Sequence, residues 1–387
     1  MERTKIIIAS PHVWNSPYMV GSHQYAKCFS DHNWMVAYIS APITPFHIIY
    51  HFMSSKRAKV ILPQRWRSWI KGGEQIDNIW TYAPFGLIPI ANQFIFNSSW
   101  AIKNAGKFLT PPLKKKLEEK EFDAVDTIWL DSPLFGYLLE MVPHKKSVLR
   151  VADDLSGFPE LGKNVIEAEK RLMRKVDLVV VTCMSLERKV RNIGAKNILC
   201  LPNGVDFDYF ANDTSLEPED LKRIPNPRII YVGSIERWFD ERLVAYAALH
   251  REDVSFVIVG SYNKGTFPKL EGLRNVFFLG KRDYSRIPSY LKHSHVGIIP
   301  FKRLPFIDSV NPIKLYEYMA CGLPVVSTKW KTLEEMASPA LLAETKEEFL
   351  QNISDTLESK VGIKDACVKY ASKNSWTKRF KVLNEYL

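Results

Sequence analysis

Short apolar runs and amphipathic segments take turns along most of this chain. Runs rich in β-branched residues fall at 5–10, 34–40, 76–82, 127–131, 147–151, 177–182 and 198–201. Between several of them lie segments with the spacing of a helix face, at 18–30, 134–141, 161–175 and 184–192. Near-continuous apolar strands alternating with helices predict a parallel sheet covered on both faces. The pattern pauses at the turn Pro202-Asn203-Gly204-Val205-Asp206, and a polar stretch reading as a linker runs to Pro227. It resumes with strands expected at 228–233, 254–260, 275–279, 296–300 and 323–327, and helices at 242–250, 285–293 and 312–320. The expectation is an α/β chain of two Rossmann-like, doubly wound units, residues 1–205 and 206–373. Another amphipathic helix is expected at 375–383.

Length agrees, since 387 residues exceed one ordinary core and suggest two domains of about 200 residues each. At 46% hydrophobic residues the chain has ample material for packing, which excludes disorder. Five scattered cysteines (Cys28, Cys183, Cys200, Cys321 and Cys367) show neither a disulfide framework nor zinc spacing, which points to the reducing cytoplasm. The apolar run at 6–9 is too short for a signal peptide, and no run approaches the ~18 apolar residues of a membrane span.

The formal charge of +11 implies an anionic partner. Residues 1–122 hold 15 Lys/Arg against 7 Asp/Glu, so +8 of it lies in the first third. Residues 55–72 carry Lys56, Arg57, Lys59, Arg65, Arg67 and Lys71 with no acid, interleaved with Leu62, Trp66, Trp69 and Ile70. Trp100, Lys103, Lys107 and Lys114-Lys115-Lys116 form a second such segment. A solvated basic loop would share the charge, but the aromatic mixture is that of an interfacial anchor, so peripheral contact with an anionic membrane is expected. No nucleic-acid recognition motif appears in a suitable context, and nucleic acid is set aside.

The most specific stretch is Asn311-Pro312-Ile313-Lys314-Leu315-Tyr316-Glu317-Tyr318-Met319-Ala320-Cys321-Gly322-Leu323-Pro324-Val325-Val326. Asn311 suits an N-cap, Pro312 the first helical position and Gly322 the left-handed residue that ends a helix. Lys314 and Glu317 share a helix face. A surface ion pair would account for the spacing but not for the order, because lysine in the first turn opposes the helix dipole. An anion at the N-terminus resolves that conflict, and a carboxylate one turn deeper can accept both hydroxyls of a ribose. The implied ligand is a nucleoside diphosphate. Gly233-Ser234, after the second unit's first strand, permits close approach to a phosphate.

In the first half the turn after the first strand lacks the GxGxxG fingerprint and instead places His12, Ser16 and His23 at the strand's carboxyl edge, where ligands of open sheets bind. Asp131 and the pair Asp153-Asp154 follow later strands. Single acids there often cap the next helix, whereas adjacent aspartates cannot both cap, and a partly buried carboxylate beside another suits a general base.

A phosphate-binding Lys and ribose-binding Glu in a short helix closed by Cys-Gly-Leu-Pro-Val-Val resembles the donor-site signature of GT-B glycosyltransferases, including the group 1 (sugar-nucleotide) enzymes. Ser10-Pro11-His12 with Ser16-Pro17 and His23, Leu149-Arg150-Val151-Ala152-Asp153, Asn203-Gly204-Val205-Asp206, Val232-Gly233-Ser234 and Asp308-Ser309-Val310-Asn311-Pro312-Ile313-Lys314 resemble the membrane-associated inverting glucuronosyltransferase family of bacterial exopolysaccharide assembly. The resemblance implies two Rossmann-like domains facing a central cleft: an acceptor domain, 1–205, rejoined by the C-terminal helix in 374–387, and a donor domain, 206–373. It implies transfer of a sugar from a nucleotide donor, UDP-linked, to a saccharide hydroxyl, lipid-linked at the inner membrane face. No cofactor or metal is expected.

Donor contacts are implied for Gly233, Ser234, Asp308, Ser309, Asn311, Lys314 and Glu317, acceptor contacts for His12, Ser16, His23 and Asp131, and the base for Asp153. Asp154 stands where that family has a small residue, so either aspartate remains a candidate. Retaining relatives carry a glutamate where this chain has Ser309, a departure that favours inversion. A retaining transferase, a nucleotide-sugar epimerase and an inactive saccharide-binding protein are the alternatives.

Overall fold

The computed structural model describes residues 3–16, 19–52, 56–88, 98–158, 161–262, 264–358 and 363–387, with the side chains of 49–61 excepted. The chain divides into two compact units, Met1–Pro202 with Phe380–Leu387, and Asn203–Arg379.

The first unit is built on β1 (Lys5–Ser10), α1 (Gly21–Asp31), β2 (Met35–Ser40), α2 (Pro45–Phe52), α3 (Lys56–Lys71), β3 (Glu74–Ile76), β4 (Ile79–Tyr82), β5 (Val125–Leu130), β6 (His144–Val151), α4 (Lys163–Lys175), β7 (Leu178–Val181), α5 (Met184–Ile193) and β8 (Ile198–Cys200). Its main sheet has eight strands in the order β8-β7-β6-β5-β1-β2-β4-β3, beside a small antiparallel pair, Phe85–Gly86 with Leu109–Thr110. Within this eight-stranded sheet all pairs are parallel except β3 with β4. The single strand expected at 76–82 is a hairpin, because Asp77 takes φ +50° and turns the chain. Ile6, Ile7 and Ile8 are fully buried, as befits a strand covered on both faces.

The second unit comprises β9 (Arg228–Val232), α6 (Glu241–His250), β10 (Ser255–Val259), β11 (Val276–Gly280), α7 (Ile287–Lys292), β12 (Val296–Ile299), α8 (Ile313–Ala320), β13 (Val325–Thr328), β14 (Leu341–Ala343), α9 (Lys346–Glu358) and α10 (Ile363–Lys373). Its six strands run parallel in the order β11-β10-β9-β12-β13-β14. The last helix, α11 (Trp376–Asn384), begins in this unit and ends in the first. The polar stretch before Pro227 is not a linker. It folds into the second unit as two short helices, Phe207–Ala211 and Glu219–Lys222, whose Phe210 and Leu221 are fully buried.

In both sheets the order reverses beside the unit's first strand. Ile230 of β9 lies opposite Val257 of β10 on one side and Gly297 of β12 on the other. Successive connections leave β9 in opposite directions, which opens a crevice at the carboxyl edge. Helix α8 reaches this point because β12 has no side chain at Gly297: a Cβ there would lie 2.4 Å from Tyr318 Cδ2. The Tyr318 hydroxyl accepts the Val232 N–H at 2.6 Å, fixing the end of β9 where the glycine turn begins.

Gly297→Ala should therefore destabilise the protein by about 1–3 kcal/mol, the range for overpacking a core. Urea unfolding measures it, and a midpoint equal to wild type would show that α8 can be displaced freely.

Candidate functional site

Three segments of the second unit meet beside the β9/β12 crevice: the end of β9 with Gly233-Ser234, Phe301 just past β12, and the first turns of α8. Gly233 has φ +145°, and a Cβ there would lie 2.7 Å from Lys314 Nζ. The bare Cα thus makes room for the ammonium. Lys314 Nζ donates to the Tyr231 hydroxyl at 3.1 Å, and that hydroxyl donates to the Ser234 carbonyl at 2.8 Å. The ammonium stands 4.3 Å from the Tyr231 ring centroid and 4.9 Å from that of Phe301.

Among the described residues no carboxylate lies within 4.0 Å of Lys314. Desolvation pulls its pKa down from 10.5 to about 7, against the charge of Glu317. Glu317, one turn deeper, is buried, and burial pushes its carboxyl up from 4.5 to about 7 despite the 3.0 Å hydrogen bond from the Tyr284 hydroxyl and the pull of Lys314. Tyr284 stacks on Tyr209 at an interplanar angle of 3°. Among the described residues no side chain caps the N-terminus of α8. A desolvated ammonium beside a helix start has the chemistry that attracts an anion, and Glu317 is an acceptor one turn deeper on the same helix.

Asn311 does not cap the helix. Pro312 holds the N-cap position, and Asn311 is buried with its Oδ1 accepting from the Asn203 N–H (3.0 Å) and the Tyr316 hydroxyl (3.2 Å). Its amide fixes the 203 loop, so the donor contact expected of it gives way to scaffolding. Ser309 is buried and donates to the Phe306 carbonyl at 2.8 Å, whereas Asp308 is exposed.

The first unit gathers its candidates at the carboxyl edge of β1, β5 and β6. His12 is exposed there. Ser16 closes a turn through its N–H to the Val13 carbonyl at 3.0 Å. His23 is a correction: it is fully buried, its Nδ1 accepts the Val20 N–H (3.2 Å), its Nε2 hydrogen-bonds the Val13 carbonyl (2.9 Å), and its ring stacks on Tyr38. Burial lowers its pKa to about 4, and with both nitrogens engaged its ring ties Val13 to Val20. Asp131 is likewise sealed, its side chain 6% exposed, and it accepts from Trp129 Nε1 at 2.8 Å.

The adjacent aspartates have separate environments. Asp154 caps the short 3-10 turn Leu155–Gly157 by accepting from the Ser156 N–H at 2.9 Å, and it pairs with Lys189. Although burial opposes it, the hydrogen bonds from Lys189 and Ser156 hold its carboxyl below the usual range. Burial raises Asp153 instead, with Arg150 opposing and Asp154 adding to the rise.

Residues 226–359 match the model of group 1 glycosyl transferases, and residues 8–182 match that of the N-terminal domain of the glucuronosyltransferase GumK. The second half of the chain thus matches group 1 glycosyl transferases and the first half the N-terminal domain of a glucuronosyltransferase, the two together in the GT-B fold. The chain is 29% identical over 228 residues to TuaH of Bacillus subtilis, named a teichuronic acid biosynthesis glycosyltransferase, and the match covers 55% of this chain and 57% of TuaH. Sucrose-phosphate synthase from Thermosynechococcus elongatus has the same fold, with a TM-score of 0.71 at 16% identity over 99% of this chain and 98% of that one. So does HepE of Anabaena in complex with UDP, with a TM-score of 0.63 at 16% identity over 99% of both chains.

The aromatic residues around the motif, Tyr231, Phe301 and Tyr284, lie in the same cluster, and the sequence does not mark them. Tyr231 reads there as one more buried strand position, and nothing local marks it.

Titration follows from the two opposite shifts. Between 4.5 and about 7 the folded form holds a proton on Glu317 that the unfolded chain lacks, so stability falls as pH rises. Between about 7 and 10.5 the unfolded chain holds the Lys314 proton that the folded form lacks, so stability rises. Lys314→Met should abolish the rise above pH 7 and raise the melting temperature at pH 7 by a few degrees. Glu317→Gln should abolish the fall below it. Melting curves from pH 5 to 9 test this, and profiles parallel to wild type would refute it.

Proposed function

We propose that the protein transfers a sugar from a UDP-sugar to a hydroxyl of a lipid-linked saccharide acceptor in cell-surface polysaccharide synthesis, inverting the anomeric carbon. The observation that carries this is the Lys314 ammonium, held over Tyr231 and Phe301 with no carboxylate of the described residues at contact distance, in the first turn of α8. The complexes of HepE with UDP and UDP-glucose, and the name of TuaH, support the donor and the pathway class.

In this reading Lys314, the helix start and the Gly233-Ser234 turn neutralise the departing diphosphate without calling on a metal ion, and Glu317 takes the ribose hydroxyls. Asp153 accepts the proton of the acceptor hydroxyl as its oxygen bonds the anomeric carbon and the bond to the diphosphate breaks. Asp154, already bound to Lys189 and Ser156, is the weaker base candidate. A removed electrostatic donor of this kind costs about 2.7–4 kcal/mol of barrier.

Calorimetry with UDP, GDP, ADP and dTDP should show one preferred nucleotide, UDP. Glu317→Ala should weaken it, Lys314→Ala should lower turnover about 100- to 1,000-fold, and Asp153→Asn should abolish transfer with donor affinity unchanged. Failure of all four nucleotides to bind would sink the reading.

An anionic membrane surface is the proposed site of action. Ile48, Leu62, Pro63, Trp66, Arg67, Ile70 and Lys71 line an open groove of about 610 Å³. Trp66 is 38% and Ile70 64% exposed, and positions 66, 67, 70 and 71 form one stripe of α3. Arg65 is not part of this face, being buried and donating to the Pro11 carbonyl at 2.9 Å. The side chains of Lys56, Arg57 and Lys59 lie outside the described residues. Among the described residues no helix is long and apolar enough to cross a membrane.

Co-sedimentation with phosphatidylglycerol vesicles should be salt-sensitive. Arg67→Gln with Lys71→Gln should weaken it by about 2 kcal/mol, at roughly 1 kcal/mol per residue. Equal sedimentation of variant and wild type would reject the surface.

A further inference from the structure

Tyr284 has no part in the mechanism above, yet its hydroxyl donates to Glu317 Oε1 at 3.0 Å. It opens the 3-10 turn Tyr284–Arg286 that follows β11. A glutamate side chain turns about several bonds, and its carboxylate meets a ligand in one geometry only when a neighbour fixes it. Burial, and then the charge of Glu317, hold the Tyr284 phenol well above its usual pKa, so the hydroxyl remains a donor.

Tyr284 is itself braced. The Tyr209 ring lies parallel to it, with centroids 5.6 Å apart at 3°, and the Tyr209 hydroxyl donates to the Tyr284 carbonyl at 3.4 Å. The fully buried Phe210 ring meets it edge-on at 5.6 Å and 81°. The residues before it are tied down as well. Arg282 pairs with Asp220 and donates through Nε to the Tyr290 hydroxyl at 2.9 Å, and that hydroxyl donates to Asp220 Oδ1 at 2.8 Å. Tyr209, Phe210 and Asp220 all come from the polar stretch before Pro227, which thus folds around the turn that carries Tyr284. Satisfying a buried carboxylate takes any donor, whereas this one is held at its ring, its carbonyl and the chain leading to it.

We propose that Tyr284 is the positioning residue of Glu317 and, through it, sets the preference for a ribonucleotide: its braced hydroxyl occupies one lone pair of Oε1 and turns the remaining lone pairs of the carboxylate toward the two ribose hydroxyls. The inference rests on reading Glu317 as the ribose contact. A nucleotide without those hydroxyls gains nothing from a well-placed carboxylate, so the effect of Tyr284 is confined to the ribose.

The test is calorimetry with UDP and with 2′,3′-dideoxy-UDP, which lacks both hydroxyls. Wild type should prefer UDP by about 100-fold, the scale of two hydrogen bonds to a charged acceptor. Tyr284→Phe keeps the ring and removes the donor. It should weaken UDP about tenfold and leave the dideoxy analogue within about twofold, so that the preference narrows. Tyr209→Ala removes the brace at an exposed position and should narrow the preference in the same direction, by less. In a Glu317→Ala background Tyr284→Phe should add nothing, as for two residues acting on the ligand through one contact.

A folded Tyr284→Phe that keeps the wild-type preference, or that weakens both nucleotides equally, would overturn the inference. Should that variant not fold, a wild-type preference in Tyr209→Ala would overturn it. A preference unchanged in Glu317→Ala would instead sink the reading of Glu317, and the inference with it, so the two failures are told apart by different variants.

Discussion

An ammonium withheld from water without a carboxylate beside it is the constraint on which the second unit's site depends. Burying such a charge is unfavourable, and the fold compensates with the faces of Tyr231 and Phe301, one phenol hydroxyl and the nearby charge of Glu317. Each needs a backbone exception close by. Gly233 leaves space for Nζ, Gly297 lets α8 approach β12, and Tyr318 ties that helix to the end of β9. Lysine and glutamate are both shifted toward neutrality by the same desolvation. A dianionic ligand would reverse the lysine's shift, and that differential is the physical content of affinity at this site.

The first unit handles charge in the opposite way. There the buried cation, Arg150, has a partner in Asp131, and the carboxylates outnumber it. A site for an anionic leaving group needs an unsatisfied cation. A site for proton abstraction needs a carboxylate whose protonation is balanced, with burial on one side and an arginine on the other. Under the mechanism proposed above, two sheets of the same construction, each with its reversal beside its first strand, would supply these two environments.

Much of this was legible from the chain, for an identifiable reason. Parallel strands buried on both faces leave near-continuous apolar runs, so most of the strands and their alternation with helices could be read directly. The Lys314/Glu317 spacing was legible because a helix face is a local property. What failed depended on distant residues. Asn311 looks like a cap until Asn203 claims its carbonyl oxygen. The 206–227 segment looks like a linker because Phe210 and Leu221 are two isolated apolar positions among polar ones, and only the folded unit shows that they are buried. His23 and Arg65 look like surface chemistry until the Val13 and Pro11 carbonyls take them inward.

The adjacent aspartates show how far environment outweighs residue type. In sequence Asp153 and Asp154 are indistinguishable, and two neighbouring carboxylates of equal proton affinity could not have a defined division of labour. The 3-10 turn at 155–157 breaks the symmetry. Asp154 becomes its cap, which brings the Ser156 N–H and the Lys189 ammonium to that carboxyl and holds it ionised. The fixed negative charge then adds to the desolvation of Asp153, raising its proton affinity while Arg150 limits the rise. A capping interaction and an ion pair, each unremarkable alone, thereby drive the proton affinities of the two carboxyls apart, one downward and one upward.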